Sequence, residues 1–272
     1  MYAYVGLTDF KRRLGLALDN VSHDAELLGI QESIAREFDE HCGRTFRVYL
    51  ATRYFTPHES RQLLLDADLL AVTTLKSDED GDRTYEVTWA TTDYDLLPFN
   101  AAADQRPHWK LAITPDGKYS FPRISRGVEV VGKWGWYEDL VTVTSLLAEA
   151  LDATETGVDV DNGNDFQVGQ TILVDSEQAY ITGINSNTLT VVRGVNGTTA
   201  ATHLDNAAIQ VYRYPSQVTQ AALLHGVKQW TRRSAGYADR TGFMDTGLAP
   251  IREGLDWAVM DMLAPFRQRV AV

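Results

Sequence analysis

The sequence predicts an α+β fold: a helical bundle built from the two ends of the chain, with a β-rich insertion and a separate small all-β module between them. Three observations carry this expectation. Apolar residues recur at helical spacing near both ends. Residues 46–134 hold β-branched and aromatic runs, and Gly157, Gly163, Gly169, Gly183, Gly194 and Gly197 punctuate short apolar runs further on. Neither helical end alone would bury its apolar stripe, so the two are expected to pack together.

Taken in order, the first helix is expected to open at Thr8 as N-cap, with Asp9 in its first turn, and to close near Gly15. A second starts at Asn20 or Ser22. Leu27, Leu28, Ile34, Ala35, Phe38 and Cys42 line its apolar side, Glu26, Glu32, Arg36, Glu37 and Glu40 fall mostly opposite, and Gly43 stops it. This helical part spans residues 1–50. The β-rich segment, 51–154, takes up a strand begun at 46–55, then a hairpin of 70–76 and 84–89 around the turn 78–82, and short strands at 109–113, 119–121 and 128–134. Its last apolar stretch, 140–151, is expected to be helical. Residues 155–212 form the inserted module, with strands at 171–174, 179–184 and 188–192 and a tight connection at Asn185-Ser186-Asn187. Residues 213–272 return to helical period after Pro215, in Val218, Ala221, Ala222, Leu224, His225, Val227, Lys228 and Trp230. A last helix after Pro250 carries Ile251, Leu255, Trp257, Ala258, Met260 and Met262.

Charge separates these parts. The 272 residues hold 25 Lys and Arg against 37 Asp and Glu, a formal −12, with a pI near 4.9, which argues against gripping nucleic acid through its phosphates. Residues 1–149 hold 16 basic and 24 acidic side chains, 150–212 hold 1 and 8, and 213–272 hold 8 and 5. The middle block is therefore at −7, while the last stretch is at +3. The excess acid and the glycine-rich turns predict that 155–212 is a solvated appendage that faces outward. A single Cys42 excludes a disulfide framework or cysteine zinc site and fits a reducing compartment. No apolar run reaches the length of a membrane span, and a signal peptide's order of residues is not expected at the N-terminus.

Several strings imitate catalytic motifs. Gly127-Val128-Glu129-Val130-Val131-Gly132-Lys133-Trp134 matches a phosphate-binding loop except that Trp134 stands where Ser or Thr must reach magnesium, and its interior reads as a strand. Asp159, Asp161, Asn162, Asn164 and Asp165 resemble a calcium loop, but Gly163 comes one place early and Gln170 replaces the bidentate acid; these, and Asp78, Asp80 and Asp82, read as solvated turns. His58-Glu59 begins a metalloprotease motif that Gln62 does not complete. His23, His41, His58, His108, His203 and His225 show no ligand spacing and read as surface or cap residues. Cys42 reads as a buried, inert thiol. Trp134, Trp136, Tyr137, Trp230, Tyr237, Phe243, Trp257 and Phe266 suit core and interface packing, and Lys228, Arg232 and Arg233 suit a helix C-terminus. With no paired acid and base at usable spacing, the chain is expected not to be an enzyme.

Other stretches resemble a family. Tyr4-Val5-Gly6-Leu7-Thr8-Asp9-Phe10-Lys11-Arg12-Arg13-Leu14-Gly15, the helix ending Ile34-Ala35-Arg36-Glu37-Phe38-Asp39-Glu40-His41-Cys42-Gly43-Arg44-Thr45-Phe46, and Tyr214-Pro215 followed by Val218-Thr219-Gln220-Ala221-Ala222-Leu223-Leu224 and Trp230-Thr231-Arg232-Arg233 resemble the head-to-tail connector, or adaptor, proteins of long-tailed bacteriophages. Residues 128–136 look like that family's Val- and Gly-rich strand before an aromatic pair. The block 157–203 is similar to a small β module of other phage structural proteins, an insert that the minimal connector lacks.

The resemblance implies a structural subunit of a virion neck, assembled in the host cytoplasm, with no cofactor, metal or catalytic residue. It implies a ring of self-associated copies, commonly twelve, beneath the portal protein. The ring would join the portal to a stopper or tail-completion protein and continue the DNA channel, where an acidic lumen would repel phosphates and let DNA slide without specific binding. No membrane partner is implied. The family's C-terminal segment engages the portal, and the corresponding residues are Leu255, Trp257, Met260, Met262, Phe266, Arg267, Arg269 and Val272. The alternative reading is a carbohydrate-binding or decoration module of a virion, with residues 155–212 as its working end.

Overall fold

The computed structural model describes residues 1–234, 240–243, 247–250 and 254–268. It divides into two compact units. One comprises Met1–Gly43, Asp139–Val195 and Thr199–Val272, the other Arg44–Glu138 with Asn196–Thr198.

In chain order the first unit begins with α1 (Leu7–Leu14) and α2 (Asp24–Cys42). The second unit contributes β1 (Tyr49–Phe55), β2 (Gln62–Ser77), β3 (Val87–Thr88), β4 (Tyr94–Leu97), β5 (His108–Ile113) and β6 (Val128–Trp134). The first unit resumes with β7 (Asp139–Leu146), β8 (Gly157–Asp159), β9 (Thr171–Val174), β10 (Glu177–Asn185), β11 (Thr188–Val192), β12 (Ala208–Arg213), α3 (Ser216–Ser234), β13 (Arg240–Phe243), β14 (Gly247–Pro250) and α4 (Trp257–Leu263).

The architecture corrects the helical-bundle expectation. Two antiparallel sheets of six strands dominate, and helices make up only 23% of the described residues. The clearest misreading is 140–151, expected to be helical, which supplies β7. Its Val141-Thr142-Val143-Thr144 alternates β-branched residues, whose stiff side chains favour a pleated strand over a helix. Three further differences are smaller: 119–121 is not a strand, β3 is only two residues long, and the last helix begins at Trp257. Ile251, placed in that helix by its spacing, lies outside the described residues, as does Tyr237.

In the first unit the sheet runs β7-β12-β9-β10-β11-β8. Its edges then meet: Leu147 and Val160 bridge, Ala148 N–H donates to Asp159 O at 2.9 Å, and Asp161 N–H to Leu146 O at 3.1 Å. The sheet thus closes into a small barrel around Leu147, Val158, Phe166, Ile172, Ile181, Leu189, Val191 and Ile209. Each such fully buried side chain contributes about 1.5–3 kcal/mol. The module's sheet therefore starts at Asp139, ahead of the glycine-rich block that marked it in the sequence.

The barrel is not a solvated appendage. Leu7 N–H donates to Val168 O at 2.9 Å, and Asp9 N–H to Gln167 Oε1 at 3.1 Å. These bonds satisfy amides of the first turn of α1, so its N-cap is Gly6, extended and without a side-chain cap, in place of the expected Thr8. Tyr2 and Tyr4 hydroxyls both donate to Asp39 on α2, and the Tyr4 ring meets Tyr214 edge-on at 4.7 Å.

Helices from both ends of the chain do pack together, α1, α2 and α4 each against α3, and Phe10, Leu27, Ile34, Phe38, Val218, Ala221, Ala222, Val259 and Leu263 on them are buried. Gly226 permits the close approach: a methyl group there would lie 2.8 Å from Phe10 Cε2 and from Gln31 Nε2. Lys11 is buried, yet its ammonium donates to Leu18 O, Asn20 O and Asp24 Oδ1 at 2.9, 2.7 and 2.8 Å, which fixes the link between α1 and α2. Gly15 and Gly43 end these helices in the left-handed conformation, as their positions predict. No helix among the described residues is long and apolar enough to cross a membrane.

In the second unit the order is β1-β6-β2-β5-β4, with β3 on β2. Trp134, fully buried, donates its indole N–H to Ala51 O at 2.9 Å and stacks on Phe55 at 5.9 Å. Trp89 stacks on Phe121 at 4.8 Å and donates to Ser77 Oγ at 3.0 Å.

Candidate functional site

The motif-like strings resolve into local structure. Residues 128–134 of the phosphate-loop string are strand β6, fully paired with β1 and without the curled amides that an anion needs. In the 159–165 stretch, Asn162 Oδ1 caps a 3₁₀ turn at Gly163–Asp165, Asp161 Oδ2 accepts from Leu146 N–H, and Asp159 accepts from the Thr188 hydroxyl. At the β2–β3 hairpin, carboxylate oxygens of Asp78, Asp80, Asp82 and Glu86 lie within 4.8 Å of one another. Asp78, however, is buried and occupied. It accepts from Asp80, Gly81 and Arg83 amides at 3.2, 2.6 and 2.9 Å, and despite burial these bonds hold its pKa below the ordinary carboxylate value.

The histidine reading needs correction at two positions. His225 and His203 are buried, at 3% and 5% exposure, and neither is a surface or cap residue. His225 Nε2 lies 3.1 Å from Glu37 Oε2 and joins α3 to α2. His203 belongs to the most built polar cluster in the first unit. Its Nδ1 is 2.8 Å from Asp175 Oδ2 and its Nε2 3.0 Å from Glu177 Oε2.

Glu177 in turn grips Arg193, Nε to Oε1 at 2.5 Å and Nη2 to Oε2 at 2.7 Å, with both side chains buried. Arg193 uses its remaining N–H groups on carbonyls: Nη1 on Asp152 and Glu155, each at 2.9 Å, and Nη2 on Ala201 at 2.7 Å. All five guanidinium donors are thereby spent. Glu177 also accepts from Gly194 and Ala201 amides at 3.1 and 2.9 Å. Burial alone would raise the Glu177 pKa, but the Arg193 hydrogen bonds, the Ala201 amide and His203 outweigh it and hold it at about 2. An acid, a base and a histidine thus stand together here. What they do is pin the loop between β11 and β12 to the barrel. Spacing could not reveal the cluster, because Glu177, Arg193 and His203 meet only once the barrel closes.

Another buried acid, Asp68, lies in the other unit. Burial raises it to about 6, against the opposing pull of Arg44, whose Nη1 is 3.3 Å away. Arg44 also covers the Trp136 ring at 4.5 Å.

The residues that the family resemblance assigns to portal contact fall at the C-terminal end. Trp257 is 68% exposed at the start of α4. Leu255, Met260 and Met262 are partly buried, Arg267 is exposed, and Phe266 is buried. Arg269 and Val272 lie outside the described residues. Lys228 holds the start of α4 through Asp256 Oδ1 at 2.7 Å, and Gln268 N–H donates to Cys42 O at 2.8 Å, tying the end of the described chain to α2.

No family model and no curated protein matches this chain. Among solved structures, it is similar to a chain from the neck of an empty GTA particle computed with C6 symmetry. The two share 13% identity at a TM-score of 0.45, over 99% of this chain and 92% of that one.

The three stretches that resemble the connector family occupy α1, the C-terminal half of α2, and α3. Some 170 residues separate the second stretch from the third, yet all three converge: Phe10, Ile34, Phe38, Ala221 and Ala222 are each 1% exposed or less.

Proposed function

We propose that the chain is a structural subunit of the neck of a phage-like virion, a connector that forms a ring, twelve-fold as in the family it resembles, between the portal and the stopper or tail-completion protein. The observation that carries this reading is the convergence of the three resembling stretches, distant in sequence, into one packed helical layer. In this reading Trp257 and its neighbours on α4 face the portal. In this reading the chain works without catalysis or cofactor, and the buried Glu177, Arg193 and His203 serve to hold a loop. A formal charge of −12 suits a ring through which DNA passes without sticking.

Electron microscopy of the full chain mixed with the portal protein of the same particle tests this. The expected result is a ring coaxial with the portal, lost when residues 255–272 are removed. A chain that sediments as a monomer and leaves the portal bare would overturn it.

A further inference from the structure

The sheet of the second unit has two open edges, and they fit each other. Leu50 on β1 donates its N–H to Asn196 O at 2.8 Å, so the backbone groups of Leu50 point away from β6. By the period-two geometry of a strand, those of Thr52 and Tyr54 point the same way. Neither has a backbone partner on that side among the described residues. On β4, Asp93 O accepts from Thr114 N–H on the β5 side, so Tyr94 and Leu96 turn their backbone groups outward, again without a partner among the described residues.

Exposed edges are ordinarily protected by Lys, Pro or a bulge. The open part of β1 has none of these: its seven pairs with β6 run in unbroken register, and the exposed side chains are Leu50, Thr52 and Tyr54. Tyr54 is further held by Arg126 at 4.6 Å and Tyr85 at 5.5 Å, a rigid Tyr and Arg pair of the kind enriched in interface hot spots.

We infer that β1 of one copy pairs with β4 of the next, which continues the sheet from subunit to subunit; the inference rests on the ring reading and names the contact that builds the ring. Three constraints agree on it. The part of β1 beyond the Asn196 contact, residues 52–55, matches the four residues of β4. Four antiparallel steps separate β1 from β4, so copies related by the small rotation of a twelve-membered ring bring the two strands together in parallel. A parallel register with Thr52 opposite Asp95 lets Thr52 N–H reach Tyr94 O, Leu96 N–H reach Thr52 O, and Tyr54 N–H reach Leu96 O. That register also keeps Thr52 and Asp95 on one face of the joined sheet, and the register ends where Pro98 has no N–H to offer. Two different edges on one subunit give a heterologous contact, the kind that closes into rings.

Two full-length single variants, Thr52→Cys and Asp95→Cys, test this when mixed under mild oxidation with and without portal. Cys42 is the sole native cysteine and is buried. A cross-linked dimer in the mixture and not in either variant alone is the expected result. Rings that form on the portal without that cross-link would overturn the strand pairing and leave the connector reading standing, whereas no ring with either variant or the native chain would overturn both. Cross-linking of Thr52→Cys with itself would show β1 meeting β1 and would also overturn the inference. Thr52→Pro removes an N–H that points away from β6, so it should keep the circular dichroism of the native chain and abolish the ring.

Discussion

At the scale of single residues, Glu177 has the sharpest consequence. Its pKa is about 2 in the folded chain against an ordinary 4.5, so the native state favours the ionised carboxylate. The stabilisation is fully present above about pH 4.5 and disappears as pH falls towards 2, and it amounts to about 3 kcal/mol at neutral pH. Glu177→Gln leaves Arg193 buried without its counter-charge. Urea unfolding at pH 7 should therefore show a loss of about 3 kcal/mol, and the native and variant curves should converge as pH approaches 2. Parallel curves down to pH 2 would show that Glu177 acts by shape alone. Asp68 has the opposite sign: with its pKa raised from 3.8 to about 6, its contribution is largest below pH 3.8 and is lost as pH rises through 6. Neither environment was legible in the sequence, because each depends on partners brought together by strand pairing. Cys42 was legible, since its place on an apolar helix face just before Gly43 already implied burial.

Among the elements, α3 shows tertiary packing overriding local propensity. Alanine at position 226 would favour the helix by about 1 kcal/mol over glycine. Its methyl group would meet Phe10 and Gln31 at 2.8 Å, and overpacking of that kind costs about 1–3 kcal/mol. Gly226→Ala should therefore lower the thermal midpoint; a rise would mean that the helices separate easily at this point. The same override explains which elements could be read. α2 and α3 announce themselves by period, and β9 and β11 match their apolar runs residue for residue. The extent of β7 was hidden, because a short apolar stretch fits either a buried helix or a strand until its neighbours are known. The cap of α1 was hidden for a related reason: its partners, Gln167 and Val168, lie in the barrel.

For the whole molecule, the sequence divided the chain by composition, whereas the structure divides it by closure. The barrel needs β7 from before the glycine-rich block and holds α1 through Val168 and Gln167. Removal of residues 155–212 should consequently unfold the helices as well, and circular dichroism of that deletion should lack the helical signal of α2 and α3. A folded remnant would restore the picture of a detachable appendage. The resemblance to connectors was visible as ordered fragments, but the reason those fragments belong together, a shared packed layer, needed the fold.

One feature of the barrel has an effect beyond stability. Arg193 is the sole Lys or Arg in residues 150–212, and its charge is spent inside against Glu177. Outside, Asp152, Asp161, Asp175 and Asp205 are exposed, and Glu149 has its pKa raised by the neighbouring Asp159, Glu155 and Asp205. Over residues 150–212 the barrel surface is thus acidic, and the exposed Arg213 at the end of β12 is already paired with Asp139. Copies brought side by side would push their barrels apart over about 8–10 Å in physiological salt. Such repulsion acts as a spacer: it disfavours barrel-to-barrel clumping at high concentration and leaves the strand edges of the second unit as the place where copies can meet.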